Sequence, residues 1–380
     1  MGRSSYEGTE SRLICTLMST DRTETKNQHY VPQLLLRGFA VPGSDERAVA
    51  VLNLSRNRII PTASIRGQCA KSFLYGKDGV VEKALAKLEG RAATAIREVI
   101  DSEQPPNPDE ESSEVLTVFI ATQYSRTPSA GRQLDRQSAA IEHAMRQSAK
   151  ARGIPENEIR FDWSSLYYKK PEVAGVQLAY TSAHVIADLS YALVVNDTEL
   201  EFALSDAGVV LHNHWTDGVR GAGGLAAWGV IFFLPISSRL LVLLYDSNVY
   251  RVRGNPGNAI HISNTSHIHE LNRLQVIFSE ENIYFSGVQT TGQALQELVI
   301  SCTQHKRADS VRSDLFVRQG PSREDMFVLF SEKPAISMSL PWLPIQRHFR
   351  EVPLQNRGGL RPEAVHAFET VRKDKESKRP

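Results

Sequence analysis

"WGVIFFLPISSRLLVLLY", residues 228–245, is the most membrane-like stretch of the chain, and its reading decides the fold. A helix that spans a bilayer needs about 20 mostly apolar residues without interruption. Here Pro235, Ser237, Ser238 and Arg239 cut the stretch into two apolar runs of strand length. Proline and serine between such runs are turn chemistry. The stretch therefore predicts two buried strands joined at Pro-Ile-Ser-Ser and argues against a membrane protein.

Outward from this hairpin the pattern remains that of strands. "YALVVND" (191–197), "ELEFALSD" (199–206), "GVVLHNHW" (208–215) and "NIYFSG" (282–287) follow one another, with "SHIHELNRLQVIFSEE" (266–281) as a helix among them. Few helices separate these strands, so an antiparallel or mixed sheet fits better than repeated βαβ units. The earlier half is helical. Residues 80–100 place Val81, Leu85, Leu88, Ala92 and Ile96 at the spacing of an amphipathic helix. A second helical pattern runs from about residue 114 to 150 and is interrupted at Pro128, and a third covers 173–190. "AVAVLNLSRNRIIPTASI" (48–65) reads as a small hairpin around Ser-Arg-Asn-Arg. The fold class expected is α+β, a helical N-terminal half with a small hairpin packed on a mainly antiparallel or mixed C-terminal sheet. Residues 1–26 read as a disordered leader and 27–303 as one α+β domain, helical over about 80–190 and sheet over about 191–303. Residues 304–380 read as a basic, partly ordered extension.

Composition narrows the function. The chain has 44 basic and 43 acidic residues and a net charge of +1, so no global field draws it to nucleic acid or to an anionic membrane. Any polyanion must be held by a local patch. Cys15, Cys69 and Cys302 are far apart and form no Cys-x-x-Cys pair, which fits reduced thiols in the cytoplasm. The N-terminus has no continuous apolar signal region. There is no nucleotide-binding Gly-rich loop, no Gly-x-Ser-x-Gly elbow and no His-Glu-x-x-His pattern.

Four polar clusters interrupt the regular patterns. His29, Tyr30 and Gln33 stand around Pro32, just before an apolar run. Histidine suits acid–base work near neutral pH, and buried polar groups of this kind must find partners or face a pocket. Gln123 and Arg126 share one face of a helix end, where an arginine can bind a carboxylate or phosphate or satisfy the last carbonyls of its own helix. Ser205 and Asp206 follow a buried strand, the place of a rigid acid or of a turn opener. His212 and His214, two apart in a strand, could ligate one metal, with His261, His267, His269 or Glu270 as further ligands.

Taken in order, these stretches resemble the bacterial domain-of-unknown-function family 4238. The opening "HYVPQLLLRGF" (29–39) carries the likeness. It is joined by "FLYG" (73–76), the helix bearing Glu82 and Glu89, "QYSRTP" (123–128), "LSDAGVV" (204–210), "LPIS" (234–237) and "ELN" (270–272), over about residues 26–286. The family continues its Ser-Asp pair with Asn-Pro where this chain has Ala207-Gly208. The resemblance implies that His29, Gln33, Glu89, Gln123, Arg126, Ser205, Asp206, Ser237 and Asn272 converge, and it implies no established reaction. The expectation is a hydrolase-like enzyme of nuclease or phosphohydrolase type. His29, Glu89 and Asp206 would be catalytic, with a divalent metal as the cofactor such chemistry would use. Tyr30, Gln33, Gln123, Arg126, Ser205, Ser237 and Asn272 would bind a small anionic ligand, a nucleotide or nucleic acid. The rival expectation is a non-catalytic ligand-binding or sensor module of a bacterial defence system.

Overall fold

The computed structural model describes residues 26–159, 170–219, 224–252, 259–302, 311–317, 325–331 and 336–377. The expected leader lies outside them, as does part of the C-terminal extension. In chain order the elements begin with β1 (Asn27–His29), α1 (Gln33–Arg37), β2 (Ala48–Asn53), β3 (Arg58–Ser64) and β4 (Ala70–Ser72). Four long helices follow, α2 (Val80–Ser102), α3 (Glu111–Ser125), α4 (Pro128–Ala151) and α5 (Pro171–Val185). Then come β5 (Ser190–Asn196), β6 (Leu204–Ser205), β7 (Val210–His212), β8 (Ile231–Pro235), β9 (Leu240–Tyr245) and β10 (Ile260–Ile262). The chain continues with α6 (Thr265–Phe278), β11 (Asn282–Phe285), α7 (Gln289–Ser301), β12 (Val311–Val317), β13 (Asp325–Ser331), α8 (Arg347–Arg350) and α9 (Pro362–Ser377).

The apolar stretch that opened the sequence analysis is the hairpin β8–β9, paired from Ile231↔Tyr245 to Pro235↔Leu241 with every residue of both strands buried. It forms the centre of a five-stranded mixed sheet ordered β10-β5-β9-β8-β7, in which only β10 runs parallel to its neighbour. Burial on both faces explains why these strands are continuously apolar and do not alternate. A second sheet, β3-β2-β11-β6, is antiparallel. The N-terminal hairpin β2–β3 is thus not a separate unit. Its strand β2 pairs with β11, Tyr284 opposite Val51, across more than half the chain.

The helices form a layer of their own, α3 packing on α2 and α5, and α4 on α5. The break at Pro128 is built as expected. Thr127 caps α4 by accepting from the Ala130 N–H at 3.2 Å, and Pro128 occupies the first turn, where no N–H is needed. The α3–α5 contact is close because position 175 is glycine. A Cβ there would sit 2.2 Å from the Ser125 carbonyl oxygen.

Residues 336–377 fold back onto the domain. Gln346 N donates to Val249 O at 2.8 Å, and the Trp215 indole donates to Phe349 O at 2.9 Å. Arg361 has no exposed surface. Its guanidinium holds both carboxylate oxygens of Asp188 and the carbonyls of Val185 and Ala227. Among the described residues no helix is long and apolar enough to cross a membrane.

Candidate functional site

The opening motif is a three-residue strand that turns into a helix at Pro32. β1 pairs antiparallel with β4, His29 opposite Ala70, and alternation along the strand turns Gln28 inward and His29 outward. Gln28 is 1 % exposed, and its side chain imitates a strand partner, accepting from Tyr75 N at 2.6 Å and donating to Gly76 O at 2.8 Å. Tyr75 is buried in turn, and its hydroxyl donates to Arg126 O at 3.0 Å. The Tyr30 carbonyl cannot enter a ladder so close to Pro32. It accepts instead from Gln123 Nε2 at 2.9 Å and Arg126 Nε at 3.1 Å. In this way the histidine strand is fixed to the C-terminal end of α3.

Arg126 is 1 % exposed. Nη1 donates to Glu89 Oε1 at 2.7 Å, Nε also donates to Gln123 Oε1 at 2.9 Å, and Nη2, itself buried, has no hydrogen-bond partner among the described residues. Glu89 stands on α2 two turns after Glu82, so both carboxylates lie along the same side of the helix, at the margin of the apolar stripe of Leu85 and Ala92. Burial pushes the Glu82 carboxyl up to about 7; the neighbouring Glu89 adds to the effect, and Arg126 opposes it. His29 is pushed below its ordinary 6.5 by burial and held up by the Arg66 carbonyl and Glu89, with Arg126 lowering it further. His29 Nε2 lies 3.2 Å from Arg66 O, an acceptor only, so in the tautomer that makes this bond Nε2 carries the proton and Nδ1 is the basic nitrogen. The Gln33 amide nitrogen stands 3.4 Å from the same Nε2 and donates to it only in the other tautomer. His29, Gln33, Glu82 and Glu89 are half-buried with Arg126 beneath them.

The other expected residues lie elsewhere. Asp206 and the Tyr30 ring line a narrow cleft with Lys71, Thr127, Ser129 and Glu280. Both Asp206 oxygens are occupied, Oδ1 by Ser279 Oγ (2.8 Å) and Glu280 N (2.9 Å), Oδ2 by Glu281 N (2.7 Å) and Asn282 N (3.1 Å). Burial pushes its carboxyl up, and these four donors pull it back. Ser205 donates through N and Oγ to Gln275 Oε1 at 3.0 and 2.7 Å. Asn272 bridges Ala203 N and Glu201 O at 2.9 and 2.8 Å. Ser237 accepts from Arg239 N and Leu240 N inside the β8–β9 turn. Asn272 and Ser237 serve the backbone around the sheets, and Ser205 the side chain of Gln275. The structure therefore brings His29, Gln33, Glu89, Gln123 and Arg126 together, and leaves Ser205, Ser237 and Asn272 apart from them.

His212 and His214 do not share a strand face, because β7 ends at His212 and His214 starts a short 3-10 turn. His212 Nε2 lies 3.5 Å from Asp217 Oδ1, and the His214 ring is 4.5 Å from that of Tyr250. His261 pairs with Asp197 and Glu270 with Arg273. Among the described residues no group of three His, Cys, Asp or Glu gathers as metal ligands. Two residues of the site, Glu82 and Tyr75, stood within the family-like stretches of the sequence without being singled out as site residues. Glu82 could have been found from its seven-residue spacing to Glu89 on one helix; Tyr75 acts through a tertiary contact that no local pattern shows.

A family model described as a protein of unknown function, DUF4238, matches residues 27–287. The chain belongs to this family. No curated protein and no solved structure matches it. All of the site of this DUF4238 member lies within the matched span, and the described residues 336–377 lie beyond it. At the position where the resemblance leads to an expectation of proline, Gly208 has φ +73° and its N–H donates to Ser205 O at 2.9 Å. A proline could adopt neither the angle nor the bond, so the turn of this chain excludes it.

Proposed function

We propose that the face formed by His29, Gln33, Glu82 and Glu89 over Arg126 is the acid–base site of a hydrolase-like enzyme. Its substrate carries a phosphate or carboxylate, a nucleotide or nucleic acid among the candidates. One observation carries the reading: His29 and Glu82, whose proton preferences near neutral pH are opposed, are both acted on by the same ion pair, Glu89 with the buried guanidinium of Arg126. His29 is neutral there and can take a proton at Nδ1, while Glu82 holds one that it can give. In hydrolysis the attacking water would pass its proton to His29, and Glu82 would protonate the leaving oxygen. Arg126 would act from below, fixing Glu89 and the strand of His29. The protein would work in the cytoplasm, where the unbridged thiols of Cys69 and Cys302 stay reduced.

The test is turnover by the full chain of nucleotides, DNA and RNA, with and without Mg²⁺ or Mn²⁺. His29→Ala and Glu82→Gln should each lower the rate by roughly 10²-fold or more, the size of a lost general acid or base. Equal rates in the wild type and both variants would overturn the proposal. A ligand that raises the wild-type melting temperature without being turned over would favour the rival reading, a non-catalytic binding or sensor module such as a defence system employs.

A further inference from the structure

We infer that the surface beside His29 binds the phosphodiester backbone of a nucleic acid through Arg37, Arg47 and Arg66. The inference deepens the proposed function and rests on it for the chemistry, but not for the binding.

Three segments remote in sequence meet next to the histidine. Arg66 belongs to the short 3-10 turn Ile65–Gly67, and its carbonyl accepts from His29 Nε2. Arg37 closes α1, which packs on that turn, and its Nη2 lies 3.5 Å from Gln33 Oε1. The Arg47 carbonyl accepts from Ile65 N at 3.0 Å, which brings the residue before β2 against the same turn. All three arginines are exposed, and none forms an ion pair with a described residue. By contrast, Arg91, Arg132 and Arg347 on the helices each carry a carboxylate partner. The acids in this neighbourhood are Asp45 and Glu46, in the turn before Arg47, and they leave the cluster net positive.

Two considerations select a polyanion over a small metabolite. Sites for small ligands are concave and bury most of the ligand, whereas His29 and Gln33 are partly open and the arginines lie outside them on the surface. Several guanidinium groups at the surface match successive phosphates of a strand, and each can bind one through two hydrogen bonds. The carboxylates of the adjoining site offer limited repulsion, because Arg126 neutralises Glu89. A chain with balanced total charge needs such a local patch to hold nucleic acid.

The test is fluorescence anisotropy with labelled single-stranded DNA, single-stranded RNA and duplex DNA, using the full chain at 50–300 mM salt. Three phosphate contacts predict that log Kd rises with log salt at a slope of about 2–3, roughly 0.7–0.9 per contact. Each of Arg37→Gln, Arg47→Gln and Arg66→Gln should lower the slope by one such step, and the triple variant should bind at least ~10²-fold more weakly at low salt. Arg347→Gln, at an ion-paired surface position, should leave the slope unchanged. Unaltered melting temperatures show that the variants are folded. Absence of binding by the wild type, or a triple variant with the wild-type slope, overturns the inference. Binding by a wild-type protein that turns over none of these nucleic acids or nucleotides would sink the acid–base reading and leave this one standing. Turnover of small phosphoesters without polyanion binding would do the reverse.

Discussion

Arg126 Nη1 lies 2.7 Å from Glu89 Oε1, and the two partners are unequally buried, 1 % of the arginine side chain being exposed against 27 % of the glutamate. If Arg126 is removed, water can still reach the carboxylate. If Glu89 is removed, a guanidinium stays inside without a counter-charge. Glu89→Ala should therefore cost stability out of proportion to its exposure, about 3 kcal/mol, the scale for one-sided removal of a buried pair. Arg126→Lys should not restore the wild type, because the single lysine nitrogen cannot hold Glu89 Oε1 while a second nitrogen serves Tyr30 O and Gln123 Oε1. Denaturant unfolding of the single and double variants measures both effects; additive costs would show that the pair is uncoupled.

Glu82 gives a pH signature. Its folded-state pKa, about 7, lies above the ordinary 4.5, so between these values the folded protein keeps a proton that the unfolded chain has lost. The contribution of Glu82 to stability therefore falls as pH rises from about 4.5 through 7. Glu82→Gln removes this penalty. After discounting for solvent screening at a half-exposed group, the variant should gain about 1 kcal/mol over the wild type at pH 8.5 and nothing at pH 4.5. Melting temperatures at the two pH values decide it; an equal difference at both would mean that Glu82 titrates normally. In turnover the same proton should set the alkaline limb near pH 7.

Asp206 separates structure from chemistry. Its carboxylate caps the segment after α6 with four hydrogen bonds, so Asp206→Asn, which turns two acceptor sites into donors, should destabilise by about 2–3 kcal/mol. At temperatures well below its melting point the variant should keep turnover per folded molecule within a few-fold of the wild type. A loss of 10²-fold or more in a folded protein would return Asp206 to the catalytic group.

These outcomes bear on how far the sequence could be read. Strand runs and helix periods are local, and the β8–β9 hairpin, the Thr127-Pro128 break and the helix bearing Glu82 and Glu89 were legible from them. The partnership of β2 with β11 was not, since a strand run carries no label for its neighbour. In the site, the meeting of the His29 strand with Arg126 through the Tyr30 carbonyl was foreshadowed only by the family's ordered motifs. Ser205, Ser237 and Asn272 stand in the same motifs yet hold Gln275 and the backbone around the sheets, because motif order records what a fold needs as well as what a reaction needs. Arg361 illustrates the same limit. An apparent basic tail contains a fully buried arginine clamped to Asp188, and Arg361→Ala should destabilise the whole protein by about 3–5 kcal/mol in denaturant unfolding. An unchanged midpoint would mean that residues 336–377 add nothing to the domain.

Gly208 tests whether the departure from the family's Asn-Pro is tolerated or required. A Cβ at this position would lie 2.6 Å from Gln123 Nε2, and the backbone has φ +73°. Alanine would therefore pay a left-handed backbone cost of about 1–2 kcal/mol and also push on the amide that holds Tyr30 O and Ala207 O. Because Gln123 also accepts from Arg126 Nε, the disturbance should pass to the guanidinium and so to Glu89. Gly208→Ala should thus lower both stability and turnover, whereas a strain-only effect would lower stability alone. Restoring the family's residues as Ala207→Asn with Gly208→Pro should be worse than Gly208→Ala, since proline also removes the N–H that donates to Ser205 O. A double variant as stable as the wild type would show that this turn can switch to the family's conformation, and that the packing of Gln123 against Gly208 is not what holds Arg126 in place.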